Sequence, residues 1–158
     1  DTVKNQDLSL NYLAAGQSIA LPDQVTLKFN WPESIQPFEV NDLNKASLVF
    51  TLSYSDLDIL MTGDADSQIQ PYIDASREVE VLKVPHHGSK TALTESYLSK
   101  IKPKISIISL GRNNSYGHPR AELIQMLERN QSKIYRTDTQ GSIKIVSNGR
   151  TWYTQPQK

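Results

Sequence analysis

The sequence lacks cysteine altogether and contains only three histidines among its 158 residues. Without cysteine, disulfide bonds and thiolate-ligated zinc sites are excluded. Lysine and arginine balance aspartate and glutamate at seventeen each, so the net charge indicates neither a broad nucleic-acid footprint nor an anionic membrane target. No apolar run approaches the roughly 18 residues of a membrane-spanning helix, and no signal peptide is recognisable.

The length is that of one domain, and we expect residues 1–158 to form a single domain with a real core. The chain begins with aspartate rather than methionine. We therefore expect it to be a piece of a longer protein.

Alternating apolar residues and turn residues predict an antiparallel start followed by strands that alternate with short helices. This order is typical of a layered α/β domain. The predicted strands are 25–29, 47–54, 57–61, 79–84, 105–110, 133–135 and 142–146; the predicted helices are 67–75, 94–101 and 119–130, and 31–44 is predicted as a loop. The predicted core comprises Leu82, Val84, Ile105, Ile107 and Leu110 of the sheet, with Leu123 and Leu127 of the last helix.

Polar side chains follow three successive predicted strands. Asp64 follows the strand that ends in LMTG, His86 and His87 follow VEVLKVP, and His118 lies in the loop GRNNSYGHP after ISIISL. In α/β sheets, functional sites gather at the carboxyl ends of strands, where side chains converge on one crevice. All three histidines of the chain fall in this pattern, which predicts a site at this edge.

A carboxylate and imidazoles are ligands suited to zinc or a similar divalent ion. Two such ions generate a nucleophile at neutral pH and bind a phosphoryl group. Other interpretations are open: Asp64 after a glycine is typical of a turn or a helix cap, and a lone histidine is more often a hydrogen-bonded surface residue. The adjacent pair His86 and His87 would point opposite ways in an extended segment. We expect one of them to be a ligand and the other to support it or to contact substrate.

Three stretches of the chain are similar in order and spacing to a known family. These are LMTGDAD, then VEVLKVPHHGSKTALTESYLSKIKPKISIISLGRNNSYGHPRAEL, then YRTDTQGSI. Together they closely resemble the carboxy-terminal half of the metallo-β-lactamase-like domain of ComEC-type DNA-uptake proteins. GQSIALPDQVTLKF also resembles the hairpin that precedes this half in the family.

The resemblance implies an α/β (α+β) fold, the second half of an αββα sandwich, with a mixed β-sheet and flanking helices. It implies that Asp64 bridges two divalent ions, zinc or manganese, and that the pair His86 and His87 supplies a further ligand, with His87 favoured as the direct one. His118 would then face the substrate, stabilising or protonating a leaving oxygen. Phosphate contacts are implied for Ser89, Lys90, Asn113 and Tyr116.

The resemblance also implies a membrane context and a substrate. In the family the domain follows a membrane channel domain and is thought to degrade the DNA strand that is not imported. The parent protein would lie in the bacterial inner membrane, with this soluble domain on the outer, periplasmic side. DNA would be its partner through the parent.

One family motif is absent. Metallo-β-lactamase-like enzymes carry an early HxHxDH or HxDxDH motif, whereas the first histidine here is His86. One aspartate and one or two histidines are too few for a tight two-metal site, which needs roughly three or more protein ligands per ion. We therefore expect this chain to hold metal weakly or not at all, and to be inactive alone. Its partner would be the amino-terminal half of the same domain, or a second copy in a homodimer that covers an exposed edge.

Three functions stay open on the sequence. The first is a fragment of a metal-dependent hydrolase that cleaves phosphodiester bonds. The second is a non-catalytic structural or nucleic-acid-binding module that has kept the fold and lost its metals. The third is a small-molecule hydrolase of the same superfamily, because fold alone does not determine substrate.

Overall fold

A seven-stranded mixed sheet forms the centre of the molecule. The structure, a computed structural model, describes residues 12–34 and 43–157. The sheet has the order β1-β2-β3-β4-β5-β6-β7. Neighbours from β1 to β4 are antiparallel, and those from β4 to β7 are parallel. The strands are β1 (Ser18–Ala20), β2 (Thr26–Trp31), β3 (Val49–Tyr54), β4 (Leu57–Met61), β5 (Val81–Lys83), β6 (Ile105–Ile108) and β7 (Lys133–Arg136).

Three helices and a small second sheet accompany the central sheet within the described ranges. The helices are α1 (Glu95–Ile101), α2 (Ala121–Arg129) and α3 (Thr137–Gln140), and the strands β8 (Ser142–Ser147) and β9 (Trp152–Gln157) form an antiparallel hairpin. Helix α1 begins where the Thr94 side chain accepts a hydrogen bond from the Tyr97 N–H, which satisfies one of the free N–H groups of its first turn. No helix in the described part of the chain is long and apolar enough to span a bilayer.

Alternate residues of the central strands point to two separate apolar clusters, as the two-residue period of a strand requires. On one face, Leu82 and Ile108 pack with Leu98 of α1 and Leu127 of α2. On the other face lies a smaller cluster that includes the hairpin β8–β9. This second cluster contains Leu57, Val81, Ile105 and Tyr135, with Ile59, Ile107, Ile143, Ile145 and Trp152 partly buried against it. The layers are therefore helices, central sheet and small sheet, and the predicted mixed α/β fold is confirmed.

Several predicted elements need correction. The predicted helix 67–75 is only a single 3-10 turn at Gln70–Tyr72, because Pro71 supplies no N–H and the buried Gln70 side chain instead bonds Ala92 and Thr94. Strand β2 continues through Trp31, which was predicted to be loop, and the part of that loop at 35–42 lies outside the described residues. Strand β9 was not predicted at all.

The predicted core also needs adjustment at two positions. Ile107 is only partly buried and faces the small sheet rather than the helices. Leu110 lies beyond the end of β6 and is likewise only partly buried. Leu82, Val84, Ile105, Leu123 and Leu127 are buried as predicted.

Candidate functional site at the ends of three parallel strands

Strands β4, β5 and β6 are adjacent and parallel, so their carboxyl ends meet at one edge of the sheet. The segments that follow them carry the predicted site residues. Five side chains from these segments line one open cavity: Asp64, His86, His87, Tyr116 and His118.

Asp64 is held by its backbone, and its side chain lines the cavity. Its N–H donates to Oγ of Ser47 at 3.0 Å, and its side chain is 43% exposed. The preceding Gly63 has a φ of +55°, and a Cβ there would lie 3.1 Å from Cβ of Ser47. A larger residue at position 63 would therefore push the Asp64 turn away from the Ser47 hydroxyl.

The segment after β5 is a left-handed turn, not the extended segment assumed in the sequence analysis. His86 has φ 44° and ψ 45°, and His87 has φ 53° and ψ 19°. This conformation costs a residue with a Cβ about 1–2 kcal/mol. The His86 N–H donates to the Gly63 carbonyl at 3.3 Å, which ties the turn to the end of β4. Because the turn curls, both rings face the Asp64 cavity, with centroids 6.4 Å apart.

Gly88 brings this turn into direct contact with the start of α2. A Cβ at Gly88 would lie 2.8 Å from Cβ of Pro119, a separation that side chains do not tolerate, and its φ is +80°. The Gly88 carbonyl accepts a hydrogen bond from the Arg120 N–H at 2.9 Å. The missing side chain thus sets how closely the histidine turn approaches the loop that carries His118.

The orientation of His87 is determined by a backbone carbonyl. Nδ1 lies 2.5 Å from the Ser109 carbonyl oxygen, and because a carbonyl only accepts, Nδ1 is the nitrogen that carries the proton. In the neutral ring, Nε2 then presents a lone pair, 3.6 Å from Oδ1 of Asp64. A histidine that binds metal through one nitrogen commonly donates the other N–H to a carbonyl in this way.

His86 lies between the other two histidine rings. Its centroid is 6.4 Å from that of His87 and 6.1 Å from that of His118. Its Nδ1 atom is buried and has no hydrogen-bond partner among the described residues. The His86 ring thus lines the cavity while this nitrogen is turned away from solvent.

Lys83 is a member of the site that sequence reasoning missed. Its ammonium donates to the Gly63 carbonyl at 2.7 Å and lies 3.9 Å from Oδ1 of Asp64. Burial lowers the pKa of Lys83, and the Asp64 carboxylate partly opposes that effect. The sequence feature that could have identified Lys83 is its position as a lysine at the end of an otherwise buried apolar strand.

Within the His118 loop, the Asn114 side chain makes two hydrogen bonds with the backbone of His118. The Asn114 side chain donates to the His118 carbonyl at 2.9 Å and accepts from the His118 N–H at 3.0 Å. Burial, followed by the positive charge of Arg120, lowers the pKa of His118. The neutral ring is therefore favoured, and its Nδ1 atom is buried without a hydrogen-bond partner among the described residues.

The base of the same loop is held by Thr137, at the start of the YRTDTQGSI stretch. The Thr137 hydroxyl accepts from the Leu110 N–H and donates to the Leu110 carbonyl, both at 2.8 Å. Next to it, Arg136 and Asp138 form a two-point ion pair at 3.1 and 2.6 Å. Sequence reasoning noted this stretch but did not assign it a role in the site.

The predicted phosphate contacts differ in their accessibility. Lys90 and Asn113 are exposed, and Tyr116 lines the cavity. Ser89 is buried; its hydroxyl lies 3.5 Å from that of Thr91, and its N–H donates to the His86 carbonyl.

Asp64 and His87 suit a divalent ion as two members of a larger ligand set. Two ligands of one tetrahedral zinc ion, each at about 2.1 Å, lie roughly 3.4 Å apart, close to the 3.6 Å between Oδ1 and Nε2. Across residues 12–34 and 43–157, however, no three His, Cys, Asp or Glu side chains are placed to hold an ion together. The fit is thus partial, and further ligands would have to come from elsewhere.

The chain is similar to bacterial proteins that are named for competence and recombination. It is 35% identical over 120 residues to ComE operon protein 3 of Bacillus subtilis, 72% of the chain and 15% of that protein. It is 33% identical over 103 residues to Recombination protein 2 of Haemophilus influenzae, 65% of the chain and 13% of that protein. Competence protein ComA of Neisseria gonorrhoeae is 26% identical over 119 residues, 72% of the chain and 17% of that protein. The chain thus spans less than a fifth of the length of these relatives.

A structural comparison agrees on the fold. A crystal structure from Parabacteroides distasonis, provisionally named a metal-dependent hydrolase, superposes with a TM-score of 0.52 at 11% identity, covering 87% of this chain and 61% of that one. At such low identity the likeness shows the fold alone. No protein-family model matches the chain. The relatives from Bacillus subtilis, Haemophilus influenzae and Neisseria gonorrhoeae confirm the resemblance that the sequence motifs predicted.

Proposed function

Because the chain is homologous to a short segment of ComEC-type competence proteins, we propose that it is the carboxy-terminal half of a metal-dependent hydrolase domain in a DNA-uptake protein. The reaction proposed is cleavage of phosphodiester bonds in the DNA strand that is not imported. The observation that supports it best is the orientation of His87: Nδ1 is bound to the Ser109 carbonyl, and Nε2 faces Asp64.

Asp64 and His87 are the side chains that would hold divalent ions, with Asp64 shared between two ions and His86 beside it. When bound, such ions, zinc or manganese, supply a nucleophile at neutral pH and stabilise charge on a phosphoryl group. The remaining ligands would come from the amino-terminal half of the domain. The 158-residue chain would then be inactive by itself.

His118 is proposed to act on the leaving oxygen. Its ring lines the same cavity as Asp64, and its backbone is held by two hydrogen bonds with the Asn114 side chain. Because its pKa is lowered, the neutral ring would donate a hydrogen bond to the departing oxygen more readily than it would supply a full proton. Lys90 and Asn113 would bind phosphate oxygens at the rim.

The wider setting is also proposed by homology. The domain would work beside a membrane channel domain, on the outer side of the inner membrane, with DNA as its substrate. A second candidate is a nucleic-acid-binding module without metals. The absence of a three-ligand cluster in the described part of the chain favours it.

The test uses the full-length protein that contains this chain, with metal content, nuclease rate and DNA affinity measured on each variant. Asp64→Ala and His87→Ala should abolish hydrolysis and reduce metal content. His118→Ala should slow hydrolysis with metal retained, by about 10²–10³-fold if the ring donates a hydrogen bond to the leaving oxygen and by about 10²–10⁴-fold if it is a general acid. Lys90→Ala should weaken DNA binding and flatten its salt dependence, since a phosphate contact acts through counterion release.

Two exposed residues away from the cavity provide matched controls: Asp56→Ala and Lys144→Ala should behave as wild type. Loss of metal in the His118 variant would make His118 a ligand. Normal cleavage by all four site variants would favour the non-catalytic module.

A further inference from the structure

The loop that carries His118 presents an aromatic ring to solvent. Tyr116 is 74% exposed, and its ring lies nearly parallel to that of His118, at an interplanar angle of 16° with centroids 6.0 Å apart. An aromatic ring this exposed contributes little to the core. The backbone at this position is nevertheless held, because the Tyr116 carbonyl accepts a hydrogen bond from the Arg120 guanidinium at 3.3 Å.

A recess lies against this ring pair. It is lined by Leu110, Gly111 and Asn114 together with His87, Tyr116 and His118. The last three also line the cavity that contains Asp64. None of the six described residues that line the recess is acidic, and Leu110 and Gly111 provide apolar surface. A flat, uncharged group bound here would therefore lie directly beside the proposed reaction centre.

We propose that the Tyr116–His118 ring pair is a stacking platform for a nucleobase of single-stranded DNA, next to the phosphate at Asp64 and His87. This inference rests on the proposed function, because the phosphate position comes from it. Every base has a π-face, so stacking on an aromatic side chain tolerates any sequence. The base of a duplex is already stacked and paired, and extruding it costs free energy. The platform therefore selects single strands.

Stacking on the Tyr116 ring and a phosphate contact by the Tyr116 hydroxyl predict different effects of substitution. Stacking needs the ring and not the hydroxyl, so Tyr116→Phe should retain it and Tyr116→Ala should lose it. Stacking also needs a base, so an abasic strand with the same number of phosphates should not benefit from Tyr116.

The experiment measures fluorescence anisotropy of the 158-residue chain with two labelled oligonucleotides of equal length, one of thymidines and one of abasic tetrahydrofuran units. Low salt keeps the phosphate contribution large and equal for both. The wild-type chain should bind the thymidine strand about tenfold more tightly than the abasic strand, the effect of one stacked base. Tyr116→Phe should keep that ratio, and Tyr116→Ala should bring it near one without weakening abasic binding.

Tyr153→Ala, which removes another exposed tyrosine in strand β9, is the matched control and should keep the wild-type ratio. Equal affinity of the wild-type chain for the two strands, or binding to neither, would overturn the platform. So would a Tyr116→Phe variant that loses affinity for both strands alike, because that result identifies a hydroxyl–phosphate contact. No hydrolysis is involved, so a failure here is distinguishable from a failure of the Asp64 and His87 variants to affect cleavage.

Discussion

Nε2 of His87 faces Oδ1 of Asp64 across 3.6 Å, although the two residues follow different strands. The imidazole is fixed from behind by the Ser109 carbonyl at the end of β6. Three adjacent strands thus contribute to one geometry: β4 places the carboxylate, β5 the imidazole, and β6 the group that orients it.

The first prediction concerns metal. With only Asp64, His87 and His86 available, we expect the isolated chain to retain less than one divalent ion after dialysis without chelator. Asp64→Ala should reduce that further, whereas His118→Ala should not. Elemental analysis gives the content, and light scattering on the same sample gives the oligomeric state. Two tightly held ions per monomeric chain would contradict the expectation that this chain lacks enough ligands for a two-metal site.

The second prediction concerns Lys83. Its ammonium lies 3.9 Å from Oδ1 of Asp64, so it should repel a cation bound there. Lys83→Gln removes the charge while leaving a donor for the Gly63 carbonyl, and should raise zinc affinity by about tenfold, because such charges interact by roughly 1–2 kcal/mol in a water-like dielectric. Calorimetric titration measures this, with Lys83→Arg as the charge-preserving control. Weaker binding in Lys83→Gln would mean that the lysine instead positions the Asp64 turn.

The third prediction concerns Thr137 and the base of the His118 loop. Thr137→Val keeps the shape of the side chain but removes both hydrogen bonds to Leu110. An unsatisfied backbone group costs about 1–3 kcal/mol, so amide hydrogen exchange from Gly111 to His118 should accelerate. Thr137→Ser, which keeps the hydroxyl, should restore protection.

A nearby threonine provides the comparison for that experiment. The Thr139 hydroxyl makes only a long contact of 3.4 Å with the Arg136 carbonyl and is exposed. Thr139→Val should leave exchange in the loop unchanged. If Thr137→Val and Thr139→Val behave alike, the contact of Thr137 with Leu110 does not hold the loop.

The fourth prediction concerns the core. Leu127 is fully buried between α2 and the sheet, whereas Ile107 is only partly buried against the small sheet. Leu127→Ala should cost about 2–5 kcal/mol of unfolding free energy. Ile107→Ala should cost less, because part of its side chain already contacts water. Urea unfolding of both variants gives the comparison. A Leu127 variant as stable as the parent would show that Leu127 is wrongly assigned to the core.

The sequence alone predicted much of the fold and where the site lies. Apolar strands alternate with helices along the chain, and each of three strands is followed at once by Asp64, by His86 and His87, or by the loop of His118. Both features are local, because strand periodicity and the residue after a strand are read within a few positions. Parallel order then brings such ends to one edge of the sheet.

What the tertiary structure decided depends on contacts between distant segments. The left-handed turn at His86 and His87 persists because Gly63 and the start of α2 hold it, whereas the local pattern indicated an extended segment. Likewise, Lys83 turned out to lie beside Asp64, and Thr137 at the base of the His118 loop. Backbone strain of this kind is stabilised only when surrounding packing determines it. The sequence therefore specified which groups gather at this edge, and only the packed structure specified how each of them points.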